Sequence, residues 1–156
     1  GIHHPNRFNS ITVANSAAKI GQTEAWLSRA ESVEKNGLAE LVKTTHTRWF
    51  SEKFDYQHNV VAQTTIQSLA NTPAQGYANA CRALAYADLR DEIAQIQIPA
   101  LLIAGTEDPV TTVADAEFMQ KAINNSQLAK LEASHLSNIE QPQRFTQELT
   151  RFIQQI

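Results

Sequence analysis

Cysteine is nearly absent. Cys81 is the only one among 156 residues, which excludes an internal disulfide and any zinc site built from cysteines alone. A reducing, cytoplasmic setting is the expectation that goes with it. No apolar run reaches the ~18 residues of a membrane-spanning helix, and no basic-then-apolar leader opens the chain. The chain begins Gly1-Ile2-His3-His4-Pro5, without Met, and is expected to be a piece of something longer. Positive charge is not in excess: 13 Lys+Arg stand against 16 Asp+Glu, a net charge of −3. That balance gives no footing for nucleic acid or an anionic membrane surface. The histidines, His3, His4, His46, His58 and His135, show no His-x-x-x-His spacing, and there is no Gly-rich phosphate loop. Neither a metal nor a cofactor is therefore expected. No serine has a glycine two places before it, so the strained Gly-x-Ser-x-Gly elbow of a serine nucleophile is missing.

What remains suits one globular domain. Hydrophobic residues make up 42% of the chain and charged residues 19%, enough apolar material for a core. Three zones separate by pattern. Residues 1–21 carry a short β-leaning run, Phe8 to Ala14, with Ile11 and Val13 in alternation. Residues 22–96 read as helices. Trp26, Leu27, Ala30 and Val33 share one face before an Asn36-Gly37 stop. Leu38, Leu41 and Val42 mark a second helix, and Val60, Val61, Ile66 and Leu69 a third. Thr72-Pro73 reads as a cap followed by a first-turn proline, opening a fourth helix with Tyr77, Cys81, Leu84 and Ala85 on its stripe. Asp88 is expected to start one more, with Leu89, Ile93 and Ile96.

Residues 97–156 switch to strand–helix–strand–helix. Pro99 to Gly105 is a continuous apolar run, as for a strand buried on both faces. A helix over 112–124, a weaker strand from Gln127 to Ala133, and a last helix from Pro142 follow. The stripe of that last helix is Phe145, Leu149, Phe152, Ile153 and Ile156. The crossover length makes the strands parallel. The fold class is thus α/β, with about three parallel strands interrupted by helices. Three are few against the usual ~5–6 of a sheet, so part of the sheet is expected to lie outside this chain.

Two polar residues fall at comparable points. Asp108 follows the first buried strand and His135 the second, one strand–helix–strand unit apart. The carboxyl ends of neighbouring parallel strands line one crevice, where ligands bind. A carboxylate there would fix the tautomer of an imidazole, whose other nitrogen could take a proton from a nucleophile. Read blandly, Asp108 is a turn residue before proline and His135 a solvated loop histidine. Cys81, mid-stripe in a helix, reads as packed and unreactive. Arg48, Trp49 and Phe50, with Tyr77, read either as interhelix packing or as an apolar lid whose arginine meets an anionic substrate.

At these residues the sequence resembles the second half of the α/β-hydrolase superfamily. Ile98-Pro99-x-Leu101-x-Ile103-x-Gly105-x-x-Asp108-x-x-Thr111 is similar to the family's acid-bearing strand end. His135-Leu136-Ser137-Asn138-x-Glu140-x-Pro142-x-x-Phe145 is similar to its histidine loop and final helix. His4-Pro5-x-Arg7-Phe8 with Val13-Ala14-Asn15 resembles the segment after the nucleophile's helix. Ala14 to Gly21, Arg48-Trp49-Phe50, Gly76-Tyr77, Cys81-x-Ala83-Leu84 and Ala87 to Arg90 resemble, more narrowly, the 3-oxoadipate enol-lactonases. Those enzymes open an enol-lactone in the protocatechuate (β-ketoadipate) branch of aromatic catabolism. The resemblance implies a C-terminal part of an α/β-hydrolase sheet with an inserted helical cap. It implies Asp108 as triad acid, His135 as base, no cofactor, and Arg48, Trp49, Tyr77 and Leu136 as substrate contacts. It also implies a nucleophile and oxyanion donors outside this chain. The expected partners are a small lactone or ester and the missing N-terminal half, or another chain, to complete the sheet. Another cap-bearing ester or carbon–carbon bond hydrolase, or a non-catalytic associating fragment, are the alternatives.

Overall fold

The computed structural model describes residues 1–156. Three strands, β1 (Ile11–Ala14), β2 (Ala100–Gly105) and β3 (Ser126–Leu131), form one parallel sheet in the order β1-β2-β3. Ile11 pairs with Ala100, and Ala100 with Ser126. Between β1 and β2 lie four helices: α1 (Thr23–Asn36), α2 (Ala39–Trp49), α3 (Val60–Ala70) and α4 (Ala74–Tyr86). The chain then runs through a 3-10 turn (Ile93–Gln95), β2, α5 (Val113–Ala122), β3, the short α6 (Ser137–Glu140) and α7 (Pro142–Ile153).

Every residue of β2 is buried, which is why its sequence is apolar without alternation. Its side chains still point to two faces in turn. Ala100 and Leu102 pack with Met119 and Ile123 beside α5, while Leu101 and Ile103 pack with Ala129, Leu131 and Phe152 beside α7. The strand is therefore the wall between two cores. Local signals set the helix ends. Thr112 and Asp115 exchange bonds as a capping box at α5, Asn59 caps α3 through the Ala62 amide, and Gly37 takes φ +73° after α1. Helices α1 and α4 join through Ala30, Ala78 and Cys81, small enough for close approach. The packed reading of Cys81 holds, and burial raises its thiol pKa.

Three local expectations fail. Thr72 does not cap α4: its hydroxyl donates to the Ser68 carbonyl of the preceding helix, and Pro73 takes the cap position. Asp88 starts no helix. Its carboxylate instead accepts from the Arg90 guanidinium and from Lys19, and the Leu89 amide donates to the Ala18 carbonyl. These bonds, two of them to distant Ala18 and Lys19 and one to neighbouring Arg90, hold the segment out of helical register, leaving one 3-10 turn before β2. Ile153 and Ile156 do not join the α7 stripe but stand about half exposed. One residue beyond Phe152 is ~100° further round the helix, away from the sheet.

Candidate active site

Site geometry begins at the carboxyl ends of the strands. After β2 the chain turns at Gly105, and the Thr106 and Glu107 amides donate to the carbonyls of Leu131, the last residue of β3, and Ala133 just past it. The two strand ends are thereby laced together. Asp108 and His135, at the tips of these loops, meet with Nδ1 to Oδ2 at 2.9 Å. The Asp108 side chain is fully buried, while that of His135 is 23% exposed, enough to be reached.

Asp108 is held from several sides. Its Oδ1 accepts from the Val110 amide at 2.7 Å and the Thr111 amide at 3.0 Å. Its Oδ2 accepts from the Thr111 hydroxyl at 2.8 Å and from Asn15 Nδ2 at 3.3 Å, besides His135. Pro109, which has no N–H, leaves room for this turn. Burial is the largest single influence on the Asp108 carboxyl and opposes ionisation, but the donors from His135, Thr111 and Val110 together outweigh it. They hold the pKa at about 2, below its usual 3.8. An ionised carboxylate only accepts, so the proton of this pair sits on His135 Nδ1. Nε2 is then the basic nitrogen, on the ring side away from Asp108. This is the arrangement a general base needs.

Asn15 brings β1 to the same point. It continues the ladder with its amide on the Ile103 carbonyl, then takes φ +45°, a left-handed conformation that Asn tolerates better than most residues. Its Nδ2 also donates to the Ser134 carbonyl at 3.1 Å, and its Oδ1 accepts from the Ser137 hydroxyl. One amide side chain thus ties together the ends of all three strands. Sequence reading left Asn15 inside a motif without a role. Its neighbours in space lie far off in sequence, so no spacing could have shown it.

The helices reach the site through α2. The Leu136 amide donates to the Trp49 carbonyl at 2.9 Å, and the Ser134 hydroxyl to the Arg48 carbonyl at 3.3 Å. Glu140 clasps both sides of this seam. It accepts from the Ser51 amide and hydroxyl, each at 2.8 Å, and from the Ser134 amide at 3.0 Å. Glu140→Ala will strand the buried Ser134 amide and lower stability by about 2 kcal/mol. Glu140→Gln keeps an acceptor oxygen and will lose much less. Urea unfolding of the two variants checks the difference, and equal losses would remove the clasp.

A cavity of about 400 Å³ lies between this loop and the helices. His135, Arg48, Trp49 and Tyr77 line it together, with Val110 from the acid loop. Leu136 does not line it and contributes its backbone bond to Trp49. Phe50 is buried, packed on Phe54 and Tyr56, so the Trp49-Phe50 pair divides between cavity wall and core. Trp26 and Arg29 also line the cavity, although the sequence marked Trp26 only as helix stripe and Arg29 not at all. No cluster of His, Cys, Asp or Glu is arranged to hold a metal ion.

A family model described as the alpha/beta hydrolase fold matches residues 3–142. The chain belongs to the α/β-hydrolase family. Within that family it is 62% identical over its whole length to 3-oxoadipate enol-lactonase 1 of Acinetobacter baylyi, covering 59% of that protein. It is 49% identical to enol-lactonase 2 of the same organism, over 92% of this chain and 54% of the relative. Among solved structures, the enol-lactonase of Burkholderia xenovorans LB400 superposes with a TM-score of 0.93 at 34% identity, over 98% of this chain and 59% of that one. The chain therefore spans somewhat more than half the length of the relatives it matches. The α/β-hydrolase fold and the likeness to enol-lactonases, both expected from the motifs, are confirmed. No helix is long and apolar enough to cross a membrane.

Proposed function

We propose that this chain is the cap and the acid–histidine portion of an enzyme that hydrolyses 3-oxoadipate enol-lactone. The observation that carries the reading is the buried Asp108–His135 pair opening onto the Trp49–Tyr77 cavity, in a chain 62% identical to a 3-oxoadipate enol-lactonase. Residues 1–21 and 97–156 form the core segments, and 22–96 form the cap over the site. His135 Nε2 takes the proton from a serine hydroxyl that this chain does not contain. The serine oxygen bonds to the lactone carbonyl carbon, and the resulting tetrahedral intermediate expels the ring oxygen, which receives that proton from His135. Water, deprotonated by the same nitrogen, then attacks the acyl-enzyme; the acyl–serine bond breaks, the serine oxygen takes the proton back from His135, and the carboxylate is freed. Asp108 holds the ring throughout and stabilises the imidazolium. The reaction needs no cofactor.

Residues outside this chain supply the nucleophile, the oxyanion donors and further strands. Two features support that partner. No strand of this chain covers the outer edge of β1. A second cavity of about 400 Å³ runs along the β1 face, walled by Ile2, Phe8, Ile11, Val13 and Leu89. A reducing cytoplasm suits the single, packed Cys81.

The test is turnover by the complete protein, with its serine elbow, followed by loss of the enol-lactone absorbance. Opening of the lactone well above the buffer rate is the expected result. A rate equal to buffer would end the lactonase reading.

A further inference from the structure

The cavity beside His135 is lined by two arginines and no carboxylate, in a chain whose net charge is −3. Four other arginines find acids: Arg82 pairs with Glu34, Arg90 with Asp88, and Arg144 and Arg151 with Glu148. Arg29 and Arg48 have no acidic partner. Arg29, on α1, lies with its guanidinium carbon 4.8 Å from the centre of the Trp26 ring. A guanidinium held against an aromatic ring by cation–π attraction still has N–H donors to offer another partner. Its fork of donors matches a carboxylate in two-point geometry. Its charge is also felt at the cavity wall. Burial raises the Cys81 thiol pKa, and Arg29 is foremost among the charges that oppose it. Trp26, Trp49, Leu69, Tyr77 and Leu84 make the rest of the lining largely apolar, which strengthens the pull of a guanidinium on an anion.

We propose that Arg29, seated on Trp26, selects substrates that carry a free carboxylate away from the bond being broken. The inference rests on the lactonase reading and adds to it a specificity residue in the cap. Arg48 lines the same cavity and adds charge, while the contact with Trp26 holds Arg29 at its wall.

Arg29→Met keeps an unbranched stem over Trp26 and removes the charge. In the complete protein the readout is the ratio of kcat/KM for the carboxylate-bearing lactone to that for its neutral methyl ester. That ratio will fall roughly 10- to 100-fold, chiefly through the KM of the acid, as expected for a lost charge-assisted pair. Arg29→Lys will recover part of it. A ratio equal to wild type overturns the inference, and so does an equal fall on both substrates, which marks a structural role.

A second arm needs no turnover. Both tryptophans of the chain line the cavity, so adipate, a simple dicarboxylate, will quench their emission, while its diamide will not. Arg29→Met will weaken adipate binding tenfold or more, by ~1.4 kcal/mol at the least. If the complete protein opens neither lactone, the lactonase reading falls and this arm still decides. Quenching that needs Arg29 sustains the anion subsite. Quenching that is absent, or indifferent to Arg29, overturns it.

Discussion

Asp108→Asn will lower kcat of the complete protein by about four decades while leaving it folded. The direction of the amide follows from the backbone. Oδ1 of Asp108 accepts the Val110 and Thr111 amides, so an asparagine must put its oxygen there. Its NH2 then faces His135 Nδ1 and Asn15 Nδ2 in place of an acceptor. The imidazole answers by moving its proton to Nε2, where it can no longer act as base. Turnover of the lactone with its KM measures this, and wild-type kcat in the variant would remove Asp108 from the mechanism.

The same variant has a signature in acid. A carboxyl held at about 2 in the folded protein, against 3.8 as its ordinary value, contributes stability that is full above pH ~4. The contribution declines as pH falls toward 2, and is about 2 kcal/mol in size. Urea unfolding at pH 5 and at pH 2.5 will show a larger drop for wild type than for Asp108→Asn. Equal drops would mean that Asp108 is not ionised ahead of the unfolded chain.

Gly105→Ala is expected to cost about 3 kcal/mol or more, and to reduce activity along with stability. A Cβ at this position would fall 2.5 Å from the Ser134 carbonyl oxygen and closer still to that of Ala133. Both obstacles are backbone, on the segment that leads into His135, so no rotamer change relieves them. The missing side chain is what lets the end of β2 lie against the histidine loop, and that contact sets the Asp108–His135 distance. Gly76, whose added Cβ would meet nothing within 4 Å, is the control: Gly76→Ala in α4 will be neutral or stabilising. Equal urea midpoints for the two variants would refute the packing argument.

Much of the fold was legible because it rests on local periodicity. The unbroken apolar run over Ala100 to Gly105 announced a strand with a core on each side, and α1 and α4 each showed a helical stripe. That Asp108 and His135 meet was legible for a topological reason. In a parallel sheet one crossover unit returns the chain to the same edge, so residues just past successive strands become neighbours. Where the reading failed, a competing side-chain bond had overruled the capping preference. Asp88 reads as a helix start until Arg90 and Lys19 claim its carboxylate, and Thr72 reads as a cap until Ser68 takes its hydroxyl.

By itself, then, the sequence determined the fold class, the neighbourhood of Asp108 and His135, and the lack of a serine elbow, while its motifs carried the resemblance to the α/β-hydrolases. Each of these is written in residue type and spacing along the chain. Only the tertiary structure could decide that Asn15 ties the three strand ends together, that Glu140 clasps the end of α2 to the histidine loop, and that Arg29 lines the cavity beside His135. The physical reason is range. Asn15 meets Ser137 across 122 residues of chain, and Ser51 meets Glu140 across 89. Contacts of that separation leave no period or spacing in the sequence, and exist only once the sheet has brought its loops to one edge.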